Sequence, residues 1–244
     1  MNPKITIIIP CYNAEKWIAE SIQSALDQTY VNTEVIVVDN ESTDGSYNII
    51  KEMHAANSTF QIDTAPNLYK YSWEEPVGAA LKIFTGDYFT VLGADDYISK
   101  DYVESIVQIL SGNTHRIKLL QSPIMGIDSE KRHKGLLGHS YKNISEFKER
   151  LFKDCPVTTP SVVYSRELYD EGLIQWKGEK YLGAGDYNLY FEFADKNLFI
   201  YPVPMWLGYH YRWHQEQSTW GMQREFSEVD VKIREQWKQK WSNE

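Results

Sequence analysis

Three short apolar segments, each followed at once by a polar turn, constrain the fold of this sequence most strongly. They are residues 5–9 before Pro10, residues 34–38 before Asp39, and residues 87–92 before Gly93-Ala94-Asp95-Asp96. Apolar runs of this length, bounded by polar residues, are typical of strands buried on both faces of a parallel sheet. Apolar residues at helical spacing predict helices over 14–28, 46–54 and 100–110. The sequence therefore predicts an α/β fold with a mostly parallel central sheet flanked by helices.

The alternation of strands and helices also predicts where a ligand binds. Right-handed crossovers place the carboxyl ends of successive parallel strands along one edge of the sheet, and ligands bind at that edge. Tyr12, Asn13, Asp39 and the Asp95-Asp96 pair are expected to share one crevice.

The rest of the chain carries weaker signals. Strands are predicted at 60–62, 115–121 and 161–164, and helices at 78–84, 145–152 and 187–196. No linker or internal repeat interrupts the sequence, so we expect a single domain over residues 1–225. A C-terminal amphipathic helix is predicted over 226–244. Its apolar stripe packs on the body or a partner, with a membrane-surface helix as the alternative; the stripe comprises Phe226, Val229, Ile233, Trp237 and Trp241.

Charge and composition exclude several classes of protein. The 244 residues carry a net charge of −9, which argues against nucleic-acid binding because that function needs clustered Lys and Arg. Cys11 and Cys155 form no CxxC pattern, so neither a disulfide framework nor a zinc site is expected. No stretch approaches the ~20 apolar residues of a membrane span. We expect a protein of the reducing cytoplasm, with peripheral contact at the inner face of the membrane left open.

Two acidic positions after strands carry the clearest chemical signal. The Asp95-Asp96 pair offers hard oxygen ligands suited to Mg²⁺ or Mn²⁺, or it caps the next helix. Asp39 similarly suits a ribose hydroxyl or base N–H, or caps a helix. No Gly-rich loop of the dinucleotide or P-loop type is present.

Taken together, these segments resemble the inverting glycosyltransferases of family 2, which have the GT-A fold. The resemblance covers the first 110 residues well and the remainder sparsely. It rests on Ile7-Ile8-Ile9-Pro10-Cys11-Tyr12-Asn13, on residues 35–46 (VIVVDNESTDGS), and on Gly86-Asp87-Tyr88 leading to Leu92-Gly93-Ala94-Asp95-Asp96.

The resemblance implies a role for each matching residue. Residues 1–112 would bind the nucleotide-sugar and residues 113–225 the acceptor. The nucleotide would be bound by Pro10, Tyr12, Asn13, Asp39, Ser42 and Asp95. Asp95 would also bind the metal, Mn²⁺ or Mg²⁺, together with His214 of the segment Tyr211-Arg212-Trp213-His214, for which His210 is a rival. Asp186 would be the catalytic base, with a helix N-cap as the alternative.

Four departures from the family pattern stand out. Gly93 and Gly185 occupy positions where acidic residues are common, and Asn40 replaces a frequent Asp. Val77-Gly78-Ala79 stands where the family has Ala-Arg-Asn. They imply either different donor contacts or weakened activity.

The sequence thus predicts an inverting, hexosyltransferase-type enzyme of polysaccharide or glycan assembly. It would transfer a sugar from a UDP-sugar donor to a glycan, lipid-linked or other hydroxyl acceptor. UDP is favoured only because it is frequent in the family. The alternatives are an inactive nucleotide-sugar or glycan-binding module and a nucleotidyltransferase.

Overall fold

A computed structural model describes residues 2–113 and 116–243, and within these ranges the chain forms two sheets with helices around them. Residue 115, the predicted start of one strand, lies outside the described residues. The strands are β1 (Ile5–Cys11), β2 (Thr33–Asp39), β3 (Gln61–Thr64), β4 (Tyr88–Val91), β5 (Tyr97–Ile98), β6 (Leu119–Gln121), β7 (Ile124–Ile127), β8 (His133–Leu137), β9 (Val163–Ser165), β10 (Tyr201–Pro202) and β11 (Tyr209–Arg212).

The larger sheet has seven strands in the order β10-β6-β9-β4-β1-β2-β3. All neighbouring pairs are parallel except the two that involve β9. The predicted mostly parallel α/β sheet is therefore confirmed. Cys11 pairs with Asp39 at the ends of β1 and β2, so the loops that follow both strands leave the sheet at the same edge.

The smaller sheet, in the order β5-β11-β7-β8, was not predicted. Its strands are short, and β8 is exposed along its whole length, so no apolar alternation marks it. β5 begins directly after Asp96, and β11 pairs with it through Tyr209 and His210. The small sheet thus brings a segment from late in the chain to the Asp95-Asp96 turn.

The helices mostly follow the sequence pattern, with shifted ends. They are α1 (Ile18–Leu26), α2 (Ser46–Ala56), α3 (Glu74–Ala80), α4 (Tyr102–Gly112), α5 (Ile144–Leu151), α6 (Arg166–Asp170), α7 (Gly178–Tyr181), α8 (Gly185–Asp195), α9 (Ser218–Phe226) and α10 (Glu228–Ser242). The prediction of a helix over 78–84 was wrong at both ends, because α3 begins at Glu74 and ends at Ala80. Pro76 is tolerated in its first turn, where a backbone N–H has no partner within the helix.

Two further predicted boundaries were wrong for local reasons. The first helix starts at Ile18 rather than at residue 14, because Ala14 to Trp17 form a turn whose first N–H donates to Ser46 Oγ (2.8 Å). The strand predicted over 161–164 begins at Val163, because Thr159–Ser161 form a 3-10 helix.

The C-terminal helix packs against the body of the protein. Ile233 and Trp237 on α10 are buried in the core, and Trp237 Nε1 donates to Asn188 Oδ1 on α8 (2.9 Å). The apolar stripe of the tail is therefore occupied by the chain itself. In the ranges that the structure describes, no helix has the length and apolar character needed to cross a membrane. The division into halves at residue 112 stays a prediction, and the seven-stranded sheet takes strands from both.

Candidate functional site

The loops after β1 and β2 are joined by hydrogen bonds among predicted donor-site residues. The N–H of Asn13 donates to Ser42 Oγ (3.1 Å), and the N–H of Thr43 donates to Asn13 Oδ1 (2.8 Å). The N–H of Ser42 donates to Asp39 Oδ2 (3.1 Å). Asn13, Ser42 and Asp39 therefore form one cluster, as the sequence predicts.

Asp39 keeps one carboxylate oxygen without a partner. The residue is 4% exposed, and its Oδ1 is buried with no hydrogen bond among the described residues. The alternative that Asp39 caps a helix was wrong, because α2 begins seven residues later, where Asp44 accepts from Ser46. A buried acceptor without a donor costs free energy, so a ligand N–H or O–H that donates to Asp39 Oδ1 would be favourable.

Two further predicted donor-site residues lie at the same edge. Pro10 is the last residue but one of β1 and pairs with Val38. Tyr12 directly follows the strand, with 51% of its surface exposed. Cys11, the residue before Tyr12, pairs with Asp39. An exposed aromatic face at this end of β1 is suited to stacking on a nucleobase. Asn40 instead donates to Pro66 O (2.9 Å), so it holds the loop after β3.

Asp95 and His214 are brought into direct contact. His214 Nε2 lies 2.8 Å from Asp95 Oδ2, and the two side chains are 13% and 26% exposed. The rival His210 is stacked on Tyr97 at 4.2 Å between ring centroids, and burial lowers its pKa to about 4. His214, not His210, is the histidine that accompanies Asp95.

Asp96 has a different environment from Asp95. It is 2% exposed and accepts from the N–H of Arg212 (2.7 Å) and from Tyr209 Oη (2.8 Å). Burial, and next the charge of Asp95, hold the pKa of the Asp96 carboxyl well above its usual range. Asp96 anchors the turn to β11, and the alternative that the pair caps α4 was wrong, because Asp101 stands at that cap.

Asp186 lies in the first turn of α8. Thr159 Oγ1 donates to its Oδ2 (2.9 Å), and the N–H of Tyr187 donates to its Oδ1 (2.7 Å). Burial raises the pKa of Asp186 to about 6, against these two hydrogen bonds, which lower it. The N-cap alternative was wrong, because Ala184 occupies the cap position. A carboxylate with a pKa near neutrality is suited to accept a proton.

An open cleft of about 600 Å³ begins at His214. It is lined by Trp213, His214, Gln215, Trp220 and Arg224. An aromatic face can stack on an acceptor sugar, and Trp220 borders the cleft with 40% of its surface exposed. Trp176 and Tyr181 are buried, and Trp73 packs on Trp176. Arg224 was not predicted as a site residue, since a single charged residue on a helix has no sequence pattern that distinguishes it.

Comparison with known proteins places this geometry in a family. The model of the family described as glycosyl transferase family 2 matches residues 6–173, more than half of the chain. The chain belongs to glycosyl transferase family 2. The family 2 membership inferred from the sequence is confirmed, as is glycosyl transfer at the level of the family.

Relatives and solved structures agree with this assignment. The family 2 chain is 28% identical over 242 residues to an uncharacterized glycosyltransferase of Haemophilus influenzae, covering 95% of this chain and 72% of the relative. TarS 1-349 of S. aureus superposes with a TM-score of 0.69 at 22% identity, over 94% of this chain and 64% of that one. A mannosyltransferase of Pyrobaculum calidifontis in complex with GDP-Man and Mn²⁺ gives a TM-score of 0.64 at 18% identity, over 91% and 61% of the two chains. At these identities the solved structures show the GT-A fold.

Close packing leaves no room for a side chain at the two glycines where the family resemblance implies acidic residues. A Cβ at Gly185 would overlap the carbonyl oxygen of Trp176 and lie 2.9 Å from its carbonyl carbon. A Cβ at Gly93 would lie 2.7 Å from Asp96 Oδ2, the oxygen held by Tyr209. An acidic side chain fits neither place without movement of buried neighbours.

Proposed function

We propose that this glycosyltransferase transfers a sugar from a UDP-sugar to an acceptor hydroxyl with inversion, as a hexosyltransferase of glycan or polysaccharide assembly. The observation that carries the proposal is the unpartnered, buried Oδ1 of Asp39, whose β1 partner Cys11 is followed by the exposed Tyr12. A base or ribose that stacks on the Tyr12 ring brings the N–H or O–H donor that Asp39 lacks. The acceptor would be a glycan, a lipid-linked sugar or another hydroxyl compound.

The choice of UDP is supported by the solved relatives. TarS of S. aureus was solved in complex with UDP-GlcNAc, and this chain superposes on it with a TM-score of 0.67 at 20% identity. The Pyrobaculum enzyme binds GDP-Man in its complex, so GDP is the alternative that the experiment below must separate.

The donor's diphosphate would be bound through Mn²⁺ or Mg²⁺ at Asp95 and His214. In residues 2–113 and 116–243, no group of three or more His, Cys, Asp or Glu could hold a metal ion. Two protein ligands are nevertheless enough, because Mg²⁺-type ions are commonly bound by one or two side chains plus substrate phosphates and water. The Asp95 carboxylate would supply the hard oxygen ligand that these ions prefer, and His214, 2.8 Å from it, would be the second protein ligand. When bound, the ion would neutralise charge on the departing UDP.

Asp186 would act as the general base. The acceptor hydroxyl oxygen attacks the anomeric carbon, the bond from that carbon to the diphosphate oxygen breaks, and its electron pair leaves with UDP. The hydroxyl proton moves to Asp186, which is ionised above its pKa of about 6. Attack from the face opposite the diphosphate inverts the anomeric configuration.

The inactive binding module is the competing proposal, and the two glycines that motivated it now have a packing explanation. The nucleotidyltransferase alternative gains no support from the family match. Cytoplasmic location and peripheral membrane contact stay predictions.

A thermal-shift panel of UDP, GDP, CDP and dTDP, with and without Mn²⁺, tests the donor site. A ligand at 100 times its Kd adds about 2.7 kcal/mol, which raises the melting temperature by about 5–10 °C in a chain of this size. We expect UDP with Mn²⁺ to give the largest rise. A larger rise with GDP contradicts the choice of nucleotide, and no rise with any nucleotide contradicts the donor site itself.

A further inference from the structure

One buried cation, Arg212, lies behind the Asp95–His214 pair and has no part in the mechanism above. Its side chain is 0% exposed, and its guanidinium stacks on the Trp17 ring at 4.3 Å from the ring centroid. Nη2 donates to Glu20 Oε2 on α1 (2.7 Å), and Nε donates to the backbone carbonyl of Asp95 (2.7 Å).

The same residue also holds its surroundings through its backbone. The N–H of Arg212 donates to the Asp96 carboxylate, and its carbonyl accepts from Gln217 Nε2 (2.7 Å), just before α9. Arg212 therefore contacts both acidic residues of the turn after β4 and lies two positions from His214. One residue fixes the relative position of Asp95 and His214, which come from segments 119 residues apart.

Stability alone does not explain why an arginine is buried here. Its Nη1 has no hydrogen-bond partner among the described residues. Burial of a guanidinium with an unsatisfied nitrogen is costly, and buried ion pairs often stabilise a fold less than apolar residues of similar volume. The contacts are therefore better explained by the geometry that they impose on the turn.

We propose that Arg212 is a positioning residue that holds the Asp95 carboxylate beside His214 in the geometry that a divalent cation with a nucleoside diphosphate requires. This inference rests on the proposed function, since it concerns the same site. Glu20 is the outer anchor of the arrangement, because its second oxygen pairs with Lys131 and fixes the carboxylate that holds Arg212.

The test compares UDP binding with Mn²⁺ and with EDTA by calorimetry in the full chain. We expect wild type to bind UDP at least tenfold more tightly with Mn²⁺. In Arg212→Lys and Arg212→Met, Mn²⁺ should tighten UDP binding by no more than twofold. Their affinity for UDP in EDTA should stay within twofold of wild type, because the Arg212 side chain does not contact the Asp39 cluster. The exposed Arg132→Lys, which changes an ion pair with Asp128 in the β7–β8 turn, is the matched control and should keep the full gain.

A second variant keeps the proposal testable if both Arg212 variants fail to fold. Glu20→Gln removes only the charge of the outer anchor and should reduce the Mn²⁺-dependent gain by about threefold. If folded Arg212 variants keep the full Mn²⁺-dependent gain in UDP affinity, the positioning role is overturned. If the Arg212 variants do not fold, the same result in Glu20→Gln overturns it. No UDP binding by wild type in either condition instead overturns the proposed function, and this inference with it.

Discussion

Replacement of Asp186 by asparagine removes a carboxylate whose ionisation the fold opposes. Its pKa rises from 3.8 to about 6 on folding because of burial. The unfolded chain therefore loses this proton first as the pH rises, and ionisation of Asp186 favours unfolding. The pKa difference of about two units, at about 1.4 kcal/mol per unit, corresponds to about 3 kcal/mol in the free energy of unfolding. This contribution is present below pH 4 and lost above pH 6. About 2 kcal/mol of this loss falls between pH 4.5 and pH 8.

Asp186→Asn should escape that loss. Asparagine also changes the hydrogen bond from Thr159, but this cost does not depend on pH, so comparison of two pH values removes it. Urea unfolding followed by tryptophan fluorescence at pH 4.5 and pH 8 measures the free energy of unfolding of both proteins. From pH 4.5 to pH 8, the free energy of unfolding of the variant should rise by about 2 kcal/mol relative to that of wild type. Asp63→Asn, at an exposed aspartate, is the control and should show no such gain. An equal difference between wild type and Asp186→Asn at both pH values would refute the burial argument.

Further predictions concern the reaction, the donor site and the glycines. As the base, Asp186 should make kcat/KM fall tenfold per pH unit below about pH 6, and a profile flat to pH 5 contradicts that role. Asp39→Ala should weaken UDP binding by about 10- to 100-fold, the value of a hydrogen bond to a charged group, as calorimetry can measure against Asp63→Ala. Gly185→Ala should cost about 1–3 kcal/mol in urea unfolding because its Cβ meets the Trp176 backbone. Gly78→Ala, with open space around its Cβ on α3, should instead add about 0.5–1 kcal/mol, and similar effects at both sites contradict the packing explanation.

The position of Asn13 and Asp39 at one edge of the sheet could be predicted from the sequence for a physical reason. Buried parallel strands show as continuous apolar runs, and parallel pairing forces their polar ends to one edge. Asn13 and Asp39 therefore lie close together in the structure, as the strand pattern predicts, and both bond to Ser42, which only the family resemblance named. The helix predicted over 78–84 lies four residues earlier, at Glu74–Ala80, with Pro76 in its first turn.

The other side of the site depends on contacts that local patterns do not encode. His214 was placed beside Asp95 only through the family resemblance, because β11, which carries the chain to that point, belongs to a small sheet of short strands. Arg212 had no predicted role, since the sequence does not show that it is fully buried. Gly185 stands where the family resemblance implies an acidic residue. Only the position of the Trp176 backbone shows that a side chain does not fit there.

Donor hydrolysis tests the central claim most directly, because water can replace the unknown acceptor. UDP-GlcNAc is incubated with Mn²⁺ and wild type or Asp186→Asn, while UDP release is measured and the freed sugar is followed by proton NMR. We expect release by wild type, at least about 100-fold slower release by the variant, and the β anomer formed first from the α-linked donor. Equal release by both proteins, or the α anomer formed first, would contradict inverting transfer with Asp186 as the base.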